Sequence, residues 1–192
     1  MFFPIGDSPK PRNFVPLVTW GLIAANVAVY LLFTLPLSVQ PVDPRDPALY
    51  DYLSRLGDLL PPRVDLRSIS AYDLFVFAWG YKPADPSLAT LFSSVFVHAN
   101  FAHLAGNMLF LWIYGDNIEY RLGRTGFLAA YLCTGAAATL VFAFFAGYSL
   151  IPLVGASGAI SGVLGLYFIL YPKNRIKVFV LDTEVYSNTG GQ

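Results

Sequence analysis

The groups in this sequence with the means to do chemistry are one hydroxyl set among glycines and, well before it, a histidine and an asparagine. The hydroxyl is Ser157, in the run VGASGAISGVLG (154–165); the other two are His103 and Asn107. Four residues separate His103 from Asn107, so on a helix they share one face, one turn apart. A serine hydroxyl can attack a carbonyl, and the other two side chains can donate hydrogen bonds, a set suited to acyl transfer. Gly155, Gly158 and Gly162 strip side-chain bulk from around the hydroxyl, and Gly158-x-x-x-Gly162 is the spacing that permits close helix approach. The soluble hydrolase elbow G-x-S-x-G is not matched, because Ala159 stands at its last position and no strand precedes it. Each group alone has a structural reading: Ser157 as helix-packing glue, His103 as a satisfied core residue, Asn107 as a helix–helix hydrogen bond. Their joint occurrence at one depth on two helices favours acyl transfer. His98 lies five residues before His103, just ahead of the helix. Two histidines, one cysteine and no clustered carboxylates do not assemble a zinc site, and no cofactor is implied.

These groups need membrane helices to position them. The chain is 56% hydrophobic and 12% charged, against about 25% charged in soluble domains. A formal net charge of zero gives no global field that would argue for nucleic acid. Cys133 excludes an intramolecular disulfide and reads as a small packing residue. Segments 17–37, 101–118, 126–147 and 155–171 are candidates to cross a hydrocarbon core of about 30 Å, which takes roughly 20 helical residues or as few as about 17. The first is longer than the apolar centre of a signal peptide, about 7–15 residues, and has no small-residue cleavage site, so it reads as an uncleaved span. The last is short and rich in small residues, as suits a helix surrounded by others. The expected fold class is all-α, a polytopic membrane helix bundle. Residues 1–16 form a cytoplasmic amino-terminal segment, 17–180 the membrane domain and 181–192 a short tail.

Between the first two segments, 38–100 holds seven aspartates and five basic residues, with prolines at 41, 44, 47, 61, 62, 83 and 86 that forbid long helices. It reads as a structured extramembrane insertion, in which 72–79 can lie at the interface with Tyr72 and Trp79 as anchors. Orientation follows from Lys10, Arg12, Arg121, Arg124, Lys173, Arg175 and Lys177, which fall in short segments on one side. The amino terminus is therefore expected to be cytoplasmic, with the long insertion and 148–154 facing outward, in the inner (plasma) membrane of a cell. A new apolar run starts at Ile176 but stops at Asp182. No fifth span fits, and the chain is read as ending after four helices or as cut short.

The stretch LFSSVFVHANFAHLAGNMLFLWIYGDNIEYRLG (91–123), followed by VGASGAISGVLG, resembles the rhomboid family of intramembrane serine proteases in motif and order. The matching features are His103-x-x-x-Asn107, Glu119-x-Arg121, and Gly155-x-Ser157-Gly158 with Gly162; the resemblance covers about 15–180. It implies a six-helix core, about four helices of which are present here, that cleaves transmembrane segments of protein substrates near the outer face. It also implies Ser157 as nucleophile, His103 and Asn107 as oxyanion stabilisers, a first loop lying partly in the membrane, and a structural ion pair between Glu119 and Arg121 at the cytoplasmic end. In the family the general base is a histidine on the sixth helix. No histidine follows Ser157, so this chain alone is expected to be inactive. Two other readings stand beside this one. The first is a non-catalytic rhomboid-like protein that binds or escorts membrane clients. The second is a channel or transporter fragment, which would want an intramembrane carboxylate or lysine that no spanning segment offers away from its ends.

Overall fold

A computed structural model describes residues 2–9, 13–57 and 65–180. Lys10, Arg12 and the expected tail 181–192 lie outside the described residues. Helix α1 (Leu17–Ser38) carries one π-turn over Tyr30–Thr34. Its N-cap is Pro16, which offers no side-chain acceptor to the orphan N–H groups of the first turn. A residue a hundred positions away takes that role. The buried Glu119 carboxylate accepts from the Val18 N–H at 3.0 Å, the Thr19 N–H at 2.7 Å and the Thr19 hydroxyl at 2.8 Å.

Three short helices follow, each started by a polar cap. They are α2 (Pro47–Leu56) behind Asp46, α3 (Ala71–Trp79) behind the Ser70/Asp73 capping box, and α4 (Leu88–Ser93) behind Ser87. The proline-rich insertion thus folds as expected into short elements. Val42, Leu49, Ile69 and Leu74 give it a small core of its own, and Arg55 bridges Asp51 and Asp85 at 2.8 and 2.7 Å. Phe75 of α3 stacks on Phe33 of α1, and Trp79 is exposed at the end of α3. Tyr81 and Leu153 exchange both backbone hydrogen bonds, at 3.0 and 2.8 Å, which ties the insertion to the loop ahead of Ser157.

Helix α5 (Phe101–Ala146) is capped by the Asn100 side chain and breaks at Gly123, whose φ of 72° is available to glycine at little steric cost. Two limbs result, 101–122 and 124–146. Helix α6 (Ser157–Leu170) packs against both. His103, near the start of the first limb, and Thr139, near the end of the second, both lie against the segment leading into α6, so the limbs run antiparallel. Leu111, Ile113, Ile118, Phe127, Tyr131 and Val163 form the fully buried centre of this bundle. By length and hydropathy α1 and α5 can cross a membrane, and the two limbs of α5 measure about 33 and 35 Å, each enough for a hydrocarbon core of about 30 Å. Large exposed apolar side chains, among them Leu32, Trp112, Phe144 and Ile169, cover the outside of the helices, as they do where the solvent is lipid.

The all-helical expectation needs one addition. Strand β1 (Phe2–Ser8) pairs antiparallel with β2 (Arg175–Val180), so the amino-terminal segment is fastened to the chain that leaves α6. Two further expectations are corrected. Cys133 is exposed on the second limb of α5 and does not pack inside. Glu119 and Arg121 form no ion pair: Glu119 is buried on α1, whereas Arg121 is exposed. The spacing itself explains this, because residues i and i+2 do not face each other on a helix.

Candidate active site

Ser157 is the first residue of α6 and its side chain is exposed. Among the described residues, the helix has no side-chain N-cap and the Ser157 hydroxyl has no hydrogen-bond partner. First-turn N–H groups without a side-chain cap are a ready site for an anion. The serine's own backbone therefore offers a donor that sequence reading did not single out. The Ser157 carbonyl accepts the Ser161 hydroxyl at 2.7 Å, one turn further on.

Gly155 is what brings His103 to this helix end. Its φ is 121°, a conformation side-chain-bearing residues rarely adopt, and its N–H donates to the Ser94 carbonyl at 2.8 Å. The missing side chain is occupied by the imidazole: a Cβ there would lie 2.6 Å from His103 Cε1 and 2.9 Å from Nε2. The other glycines bring the second limb of α5 close. A Cβ on Gly158 would sit 2.7 Å from Ala138 Cβ, and one on Gly162 would overlap the Thr134 side chain. The Thr134 hydroxyl in turn reaches the Ala159 carbonyl at 3.3 Å. The spacing read as a close-approach motif is thus a contact between backbone and helix.

Asn107 is buried and joined to a residue the sequence left without a role. His98 is fully buried, and its Nε2 lies 2.9 Å from Asn107 Nδ2 and 3.5 Å from the Ala156 nitrogen. Two N–H donors on Nε2 make it an acceptor, which puts the ring proton on Nδ1, 3.4 Å from the Phe96 carbonyl. Burial, with the neighbouring His103 as a smaller cause, pushes the His98 pKa down to about 4, so the ring is neutral at physiological pH. His98 and His103 meet edge to face at 5.3 Å, and the Tyr72 hydroxyl of α3 donates to the His98 carbonyl at 3.4 Å. His98 therefore links Asn107, the residue before Ser157 and the insertion. Its only sequence signal was its position ahead of a helix that carries His103.

A cavity of about 170 Å³ opens beside the hydroxyl, lined by Val95, Gly135, Thr139, Leu153, Gly155 and Ser157. It has room for a small side chain next to the Ser157 hydroxyl. An exposed hydroxyl, an uncapped helix end and two side chains able to donate hydrogen bonds are parts that an acyl-transfer site uses. The chain's two histidines are His98 and His103, and neither hydrogen-bonds Ser157 among the described residues. No group of three or more His, Cys, Asp or Glu able to hold a metal occurs among the described residues.

Residues 85–187 match the sequence profile of the Rhomboid domain. The chain is 34% identical over 170 residues to the bovine presenilin-associated rhomboid-like protein, mitochondrial, which takes in 87% of this chain and 36% of that protein. It is 35% identical over 98 residues to Rhomboid protein 1, mitochondrial, of Saccharomyces cerevisiae, covering 49% of this chain and 28% of the relative. With Rhomboid protease GluP of Bacillus subtilis it shares 38% identity over 90 residues, 47% of this chain and 17% of the relative. The matched regions thus span well under half the length of these relatives. No solved structure matches.

Proposed function

This chain belongs to the rhomboid family of membrane proteins, and from that premise we propose that it carries the nucleophile and oxyanion site of an intramembrane serine endopeptidase acting on transmembrane segments. The observation that supports this reading best is the fit of the His103 ring into the side-chain space of Gly155, two residues before Ser157. In the proposed reaction the Ser157 Oγ adds to the scissile carbonyl carbon, and its proton passes to a general base. The carbonyl oxygen becomes an oxyanion held by His103, Asn107 and the Ser157 N–H. Collapse expels the amine, which takes up a proton, and leaves an ester on Ser157 that water then hydrolyses. The base is assigned to a histidine outside this chain, on a further helix of the six-helix arrangement. The chain alone is then inactive.

In this arrangement the four spans are α1, the two limbs of α5, and α6 with its flanking residues. The 38–100 insertion lies at the outer face. The basic residues Arg121, Arg124, Lys173, Arg175 and Lys177 support a cytoplasmic amino terminus. The charge pattern sets orientation and not compartment; we place the protein in a cell's inner (plasma) membrane, and because relatives are named for mitochondria and for chloroplasts, fractionation decides the compartment. The lack, among the described residues, of a histidine hydrogen-bonded to the Ser157 hydroxyl favours one second reading, a non-catalytic protein that binds membrane clients. The test is incubation of the protein, extended through its downstream coding sequence, with single-span membrane proteins in liposomes. Mass spectrometry of new termini should find cuts near the outer end of the span that vanish in Ser157→Ala. Client capture without any Ser157-dependent cut would support the second reading instead.

A further inference from the structure

At the opposite end of the bundle from Ser157, one carboxylate joins the two helices that carry the site. Asp7 of β1 is buried, and its Oδ2 accepts from Asn117 Nδ2 at 2.7 Å, from the Tyr167 hydroxyl at 2.8 Å and, more weakly, from Asn174 Nδ2 at 3.5 Å. Asn117 belongs to the first limb of α5, Tyr167 to α6, and Asn174 to the turn leading into β2. The spacing is matched on the two helices. Asn117 lies ten residues beyond Asn107, and Tyr167 ten residues beyond Ser157, about 15 Å along each axis. Tying these two side chains to one oxygen therefore sets Ser157 and Asn107 at a common depth. The surroundings are built to hold the tie: Tyr167 packs edge to face on Tyr114 at 4.7 Å, and the Tyr171 hydroxyl donates to the Asn117 carbonyl at 3.0 Å. The β1–β2 pairing places Asp7 opposite Ile176, which packs against the core cluster of the bundle.

We propose that Asp7 is a positioning residue, and that β1 is a clasp whose carboxylate fixes the axial register of α6 against the first limb of α5, so that the Ser157 nucleophile meets its oxyanion donors. The inference rests on the protease reading for its catalytic consequence, while the register itself is independent of it. A slip of one residue would move Ser157 by about 1.5 Å along α6, and misplacements of about 1 Å can cost a hundredfold in rate. The clasp acts on geometry at the reacting atoms and not on substrate binding.

The test uses the protein extended through its downstream coding sequence, in lipid, with Asp7→Ala, Asp7→Asn, Tyr167→Phe and, as control on the same strand, Ile5→Ala, whose side chain is exposed. Two readouts are taken. One is the rate constant and half-saturating concentration for labelling by a fluorophosphonate. The other is the distance distribution between spin labels at Trp112 and Ile169 in a Cys133→Ser background. The expected result is labelling slowed about tenfold or more in Asp7→Ala at unchanged half-saturation. Asp7→Asn, which keeps one acceptor oxygen, should recover most of the rate, and Ile5→Ala should match wild type. The spin-label distribution should shift or broaden in Asp7→Ala. If Asp7→Ala does not accumulate, Tyr167→Phe removes one arm of the clasp and is read the same way. A rate within twofold of wild type in Asp7→Ala overturns the proposal. If wild type itself is not labelled, the protease reading has failed, and the spin labels alone decide: an unchanged distribution overturns the clasp and a shifted one supports it.

Discussion

Replacing Glu119 tests whether the bundle is organised as described. Its carboxylate is fully buried and accepts three hydrogen bonds, two from backbone N–H groups of α1 and one from the Thr19 hydroxyl. Hydrogen bonds to a charged group contribute roughly 1.5–3 kcal/mol each, and a lost N-cap typically costs about 1 kcal/mol. Glu119→Ala leaves the two buried Thr19 donors and the part-buried Val18 N–H unpaired at the start of a membrane helix that has no side-chain cap of its own. Three such bonds at the low end of that range come to about 4.5 kcal/mol, roughly two-thousandfold in the folding equilibrium. Glu119→Gln keeps acceptor oxygen but loses charge, and should cost about half as much. Arg121 is exposed, and Arg121→Ala should stay within about 0.5 kcal/mol of wild type. The assay is unfolding in mixed micelles of mild and denaturing detergent, followed by far-UV circular dichroism. A Thr19→Val, Glu119→Ala double-mutant cycle should give a coupling of about 1–2 kcal/mol. Equal losses in Glu119→Ala and Arg121→Ala would refute the tertiary cap and restore the ion pair.

Three further outcomes follow from the site. Gly155→Ala should lower fluorophosphonate labelling of the extended protein about tenfold or more, because a Cβ at a φ of 121° would press on the His103 ring; circular dichroism should show the helices retained. Gly162→Val should lower the unfolding midpoint by the equivalent of about 2–3 kcal/mol, since the added side chain would overlap Thr134, while Gly165→Ala, where no atom lies within 4 Å of the added Cβ, should be neutral or better. His98 is held neutral down to about pH 4 in the folded chain but titrates near 6.5 when unfolded. Between those values the unfolded state binds the extra proton, so the His98 contribution to stability is constant well above pH 6.5 and falls by about 3 kcal/mol as pH drops to about 4. His98→Asn should flatten that part of the pH profile of the unfolding free energy.

Hydropathy and punctuation made much of this fold legible. The apolar segment 17–37 is α1, Gly123 breaks the long helix where the basic turn was read, and the glycines around Ser157 are the close contacts their spacing suggested. What escaped was what depends on partners distant in sequence. Asp7 meets a tyrosine 160 residues away, and Glu119 caps a helix a hundred residues before it; no local period encodes either contact. The one local hint, a proline at the N-cap of α1, signals a missing acceptor without naming its replacement. The pairing of β1 with β2 was hidden for a related reason. A short run holding Pro4 and Gly6 has little strand signal until its partner is beside it. His98 was visible as a residue but not as a hub, because its two donors come from the helix it precedes and from a loop 58 residues on.

The central claim, that Ser157 is a nucleophile served by His103 and Asn107, is tested most directly by reacting the purified protein with a fluorophosphonate serine probe in lipid. The samples are the chain as given, the same chain extended by its downstream coding sequence, and Ser157→Ala in each. Labelling of the extended protein at Ser157, absent from the short chain and from both alanine variants, is the predicted result. Folded protein that leaves the probe unreacted in every sample would contradict the account and leave client binding as the function of this site.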